Sequence, residues 1–163
     1  MFVFERTVDV NDDPDAVQLT RHEVWLGLVM KAGNALPFVP QMEKCDVVER
    51  GDNWIIRDIR VFGQDMRERV TLEPERLVTF ERLSGPVPGR IENELTEVDG
   101  VLRLRFGFAL TAEGIEEGSP EEQEHFAPSI PAYNGAVAST LAAVRQLVAE
   151  RGREALLTPE IFA

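Results

Sequence analysis

The chain has one cysteine, one tyrosine and two histidines in 163 residues. Cys45, without a partner, forms no internal disulfide, which suits a reducing cytoplasm. His22, His125 and Cys45 stand on separate predicted elements, so no metal site of the zinc kind is expected. Basic residues are scarce as well. Lys31 and Lys44 are the only lysines, and the net charge is -12 with a pI near 4.6. Such a surface repels phosphate backbones and anionic lipid, which excludes nucleic acid and membrane surfaces as partners. No apolar run is long enough to span a bilayer. The opening MFVFERTVDV lacks the basic start and long apolar run of a signal peptide. There is no P-loop, no GxGxxG and no GxSxG, so neither a nucleotide cofactor nor a serine hydrolase is expected.

What is present reads as one domain over residues 1–163, with 44% hydrophobic residues to fill a core. Phe2, Phe4, Val8 and Val10 alternate onto one face of a first strand, interrupted by Arg6. A helix follows. Thr20 and Glu23 form a capping box, Leu19 and Val24 a hydrophobic staple, and Trp25, Leu28, Val29 and Ala32 the buried stripe. Gly33-Asn34 ends it. Segments 43–50, 54–62, 65–73, 77–83, 89–98 and 101–110 read as strands joined by tight turns, hence an antiparallel meander. Asp99-Gly100 is the strongest hairpin signal, because a type I′ turn needs positive φ at both central residues. From Ser119 a helix-like segment of about 30 residues, some 45 Å long, carries one apolar stripe. The stripe is Phe126, Ile130, Tyr133, Val137, Leu141, Val144 and Val148. Pro128 and Pro131 should bend or break it, and Gly152 should end it. Leu156, Leu157, Ile161 and Phe162 in the tail are available to dock.

Hairpin register turns this outline into a candidate site. About Asp99-Gly100, Val98 faces Val101, Leu95 faces Leu104, and Asn93 faces Phe106. About a Gly63-Gln64 turn, Val61 pairs with Met66, Ile59 with Glu68, Arg57 with Val70 and Ile55 with Leu72. Arg57 and Glu68 then lie diagonally on the apolar face, and Arg82 comes near Glu68. A sheet and a helix with one apolar face each must bury them together. The predicted chamber between them has an apolar wall of Phe80, Ile91, Leu104, Phe106, Ile130 and Val137. Its polar contacts are Arg57, Glu68, Arg82, Asn93 and Tyr133. The two arginines around one glutamate are open to two readings, an internal ion-pair network or the lining of a pocket.

Three stretches carry a family resemblance: LTRHEVWLGLVMKA at 19–32 with PFVP at 37–40, RERVTLEPERLVTFER at 67–82, and PGRIENEL at 88–95. With the element order, they resemble the SRPBCC superfamily of START-type and birch-pollen-allergen-like proteins, and within it the AtaL-like subgroup. The resemblance implies an α+β helix-grip fold, a curved antiparallel sheet wrapped around a long C-terminal helix. It implies an apolar cavity for a hydrophobic or aromatic small molecule, with a link to secondary metabolism. It transfers no catalytic set. A carrier or binding module is the first reading, and a cyclase, dehydratase or hydrolase acting on a polyketide-like substrate the second. A dimerising domain whose chamber is filled by its own side chains is the third.

Overall fold

Tight turns and strict alternation set the sheet. In the computed structural model, which describes residues 1–153, β1 (Phe2–Asp9) is followed by α1 (Arg21–Gly33) and six strands. These are β2 (Met42–Arg50), β3 (Trp54–Val61), β4 (Gln64–Glu73), β5 (Leu77–Ser84), β6 (Gly89–Val98) and β7 (Val101–Leu110). All pairs are antiparallel, in the spatial order β1-β7-β6-β5-β4-β3-β2. The meander closes on the first strand, which pairs with the last. After β7 come α2 (Pro120–Phe126), a 3₁₀ turn over Ala127–Ser129, and α3 (Ile130–Arg151).

The Asp99-Gly100 turn has φ of 53° and 78°, and Leu95↔Leu104 and Asn93↔Phe106 pair across it as predicted. The β3–β4 turn is different. Its central residues are Phe62 and Gly63, at φ 52° and 71°, in place of Gly63-Gln64. The register is therefore two residues from the predicted one, with Ile59↔Met66, Arg57↔Glu68 and Ile55↔Val70. A two-residue slip keeps every side chain on its face. It moves Arg57 and Glu68 from diagonal neighbours to direct partners.

α1 starts at the predicted capping box. Thr20 accepts from the Glu23 amide at 3.1 Å, and the Glu23 carboxylate accepts from the Thr20 amide at 2.9 Å. Thr20→Ala is expected to lower stability by about 1 kcal/mol in a urea melt; an unchanged midpoint would show that the box carries none of it. Gly27 lets α1 approach α3, because a Cβ there would collide with Val144.

The closing helix-like segment is divided at its prolines, as predicted. Ser119 caps α2, but the Glu122 carboxylate accepts from the Gly118 amide and does not complete a box with Ser119. Pro128 stands in the 3₁₀ turn and Pro131 in the first turn of α3. Each lacks a backbone donor, so the chain breaks there and starts again. Val137, Leu141, Val144 and Val148 of α3 are buried against the sheet and α1, and Gly152 ends the helix at φ 80°. The predicted docking residues Leu156, Leu157, Ile161 and Phe162 lie outside the described residues. Among the described residues no helix is long and apolar enough to cross a membrane.

Candidate functional site

Alternate residues of β3 and β4 are buried, and two of those positions hold charges. Arg57 lies between Ile55 and Ile59, and Glu68 between Met66 and Val70. Arg57 and Glu68 are 2% and 1% exposed, so their charges must be satisfied inside the protein. They are. Glu68 Oε1 accepts from Arg57 Nε at 2.7 Å and pairs with Nη2 at 2.6 Å. Its Oε2 accepts from Arg82 Nε at 3.1 Å. Arg57 Nη1 donates to the carbonyls of Lys31 and Ala32, at 2.9 and 2.8 Å. These are orphan acceptors of the last turn of α1. Arg82 Nη1 donates to Met66 Sδ at 2.8 Å and to the Val87 carbonyl at 3.4 Å.

This cluster borders a cavity of about 390 Å³ between the concave sheet and the closing helices. The two arginines and Glu68 thus form an ion-pair network, and all three side chains also border the void. Phe80, Ile91, Phe106 and Tyr133 line it too. Ala132 and Ala136, which share a face of α3 with Tyr133, leave the space open. The exposed lining residues Phe62, His125 and Pro128 mark its mouth, at the β3–β4 turn and the break before α3. The Tyr133 ring stacks on Phe108 at 4.5 Å. Burial pushes its hydroxyl up, against weaker opposing effects of Ser129 and Arg82.

Four predicted lining residues do not border the cavity. Leu104 and Val137 are fully buried in the core, Ile130 is partly buried beside it, and Asn93 lies beneath α1. Asn93 nevertheless joins the site through Lys31, which is absent from the predicted lining. Lys31, 6% exposed in the last turn of α1, donates from Nζ to Asn93 Oδ1 at 2.9 Å. The same nitrogen sits 4.2 Å from the centre of the Phe106 ring and 5.5 Å from that of Phe80. Lys31 lines the cavity. Spacing held the signal, since Val24, Leu28 and Lys31 recur at helical intervals.

The electrostatics separate these groups. Burial pushes the Glu68 carboxyl up, but Arg57 and Arg82 outweigh it and hold the group below its usual value. A carboxylate already ionised, with both oxygens engaged, is a counterion and not a base poised near neutrality. Lys31 goes the other way. Burial, reinforced by Arg57 and opposed by Glu68, pushes its ammonium from 10.5 down to about 7. Lys31, Arg57 and Arg82 thus face the cavity with one carboxylate among them, in a chain of net charge -12. Among the described residues no cluster of His, Cys, Asp and Glu could hold a metal ion.

Residues 4–151 match the family described as AtaL, acetylaranotin biosynthesis cluster protein L. The aromatase/cyclase ZhuI from Streptomyces sp. R1128 is similar in structure, with a TM-score of 0.68 at 22% identity over 93% of this chain and 98% of that one. Norcoclaurine synthase from Thalictrum flavum has a TM-score of 0.61 at 17% identity, over 92% and 87%. Ara h 8.0201 has one of 0.56 at 14% identity, over 88% and 97%. At these identities the likeness is one of fold. No curated protein matches the chain.

Proposed function

The chain belongs to the AtaL family, and on that premise we propose that it works as a single domain that binds a hydrophobic or aromatic small molecule between sheet and closing helices. The observation that carries this is the 390 Å³ cavity itself, walled by Phe80, Ile91, Phe106 and Tyr133 with the Arg57–Glu68–Arg82 cluster at its side. Its volume lies in the range of about 300–1,000 Å³ typical of ligand pockets. Apolar walls supply affinity, and a few fixed polar groups supply orientation. The surplus of positive charge favours a ligand with an acidic or electron-rich oxygen directed at Arg82 and Lys31. The family description points to a biosynthetic cluster, and we place the protein in secondary metabolism, in the cytoplasm.

A second reading, catalysis on a polyketide-like substrate in the same cavity, is favoured by the likeness to proteins named as aromatase/cyclases, ZhuI and the di-domain StfQ. Both readings require the cavity to admit a ligand. Anilinonaphthalene sulfonate, aromatic and anionic, is a suitable probe. Fluorescence titration is expected to give saturable binding at one site. Ala136→Phe, which adds a ring where α3 borders the void, should weaken it by roughly tenfold or more, about 1.4 kcal/mol, with the fold retained by circular dichroism. Equal binding by parent and variant would place the dye elsewhere. Native mass spectrometry of the purified protein would reveal any co-purified molecule.

A further inference from the structure

Glu68 has no free oxygen, so the cavity's chemistry falls to another group. Lys31 is the amine on its wall. Its backbone is pinned, because Arg57 donates to the carbonyls of Lys31 and Ala32. Its side chain is aimed, with Nζ over the Phe106 ring and a single hydrogen bond to Asn93. Among the described residues Nζ forms no ion pair, although Glu68 acts on it at longer range. The Asn93 amide suits either charge state of the amine. Its oxygen accepts from the ammonium, and its nitrogen, otherwise buried without a partner, can donate to a free amine after a half-turn.

We propose that Lys31 is a covalent site: its ε-amine condenses with the carbonyl of an aromatic aldehyde or ketone held in the cavity, forming an imine. The nitrogen lone pair attacks the carbonyl carbon, the nitrogen loses two protons, and the carbonyl oxygen leaves as water. No oxidant or reductant takes part. The desolvation that disfavours the ammonium leaves free amine available near neutrality, a recurring way of activating a lysine. The inference rests on the ligand-binding reading above and names a reactive class for the same cavity.

The sequence makes the test simple, because Lys44 is the only other lysine and is exposed. The protein is incubated near neutral pH with naphthaldehyde and cyanoborohydride, which reduces an imine to a stable secondary amine. Peptide mapping then locates the adduct. Lys31 is expected to be labelled roughly tenfold or more faster than the exposed Lys44, because the cavity holds the aldehyde against its amine and burial disfavours its ammonium. Excess anilinonaphthalene sulfonate should protect it. In Lys44→Arg the labelling of Lys31 should persist, and in Lys31→Arg the fast lysine adduct should vanish. Labelling that favours Lys44 or the amine of Met1 overturns the proposal, whether or not the dye binds. Failure of the dye to bind, by contrast, overturns the cavity reading on which the proposal stands.

Discussion

Glu68→Gln should destabilise the protein by about 3–5 kcal/mol at neutral pH, because it leaves two guanidinium groups without their counterion in the interior. The side chains of Arg57 and Arg82 are only 3% and 8% exposed. Arg57 would keep its bonds to the carbonyls of Lys31 and Ala32, so part of its satisfaction survives. Its charge would not be balanced. The pH dependence has a definite sign. Glu68 has a folded pKa below its ordinary 4.5, so its contribution is complete above that value and is lost as pH falls through the folded one. Urea unfolding of parent and variant should therefore differ most at neutral pH and converge in acid. A loss under about 1 kcal/mol at neutral pH would mean that the arginines reach water and that this charge network is not an interior one.

Lys31→Met should act in the opposite direction. Between pH 7 and pH 10.5 the unfolded lysine binds a proton that the folded one has released. Stability of the parent therefore rises with pH across that window. The whole shift from 10.5 to about 7 corresponds to a burial penalty on the order of 5 kcal/mol, present in full below pH 7. Methionine fills similar space without that penalty. The groups facing Lys31 are Arg57 on β3, Glu68 on β4, and Asn93 on β6, with Phe80 and Phe106 forming the walls. Only Glu68 favours the ammonium by charge. In urea melts the variant should be the more stable below pH 7, with the gap closing as the pH approaches 10.5. A difference that stays flat across this range would contradict the depressed basicity of Lys31.

The parts of this structure that were legible in the sequence are those governed by local chemistry. Asp99-Gly100 set its hairpin because few residue pairs tolerate two positive φ angles. Thr20 and Glu23 set the start of α1 for a similar reason. Phe62 defeated the same logic. An aromatic residue at φ 52° is an uncommon turn former, so Gly63-Gln64 looked the better turn and the register slipped by two. The slip preserved the faces, which is why Arg57, Glu68 and Arg82 were still brought together. Depth was harder to read than direction. Asn93 and Leu104 do point inward, but Asn93 lies beneath Lys31 of α1 and Leu104 is sealed in the core, and only packing decides which inward residues border empty space. Lys31 was hidden by residue type, since lysine is almost never fully buried, although its helical position put it on the buried stripe.

The central claim is that a small aromatic ligand enters between the sheet and the closing helices. Amide chemical-shift mapping during titration with anilinonaphthalene sulfonate tests it most directly. The largest shifts are expected at Lys31, Arg57, Arg82, Phe106 and Tyr133, saturating together. Shifts centred on Val3, Arg90 and Gly107, around the shallow depression formed by β1, β6 and β7, would place the ligand outside the cavity and contradict the claim.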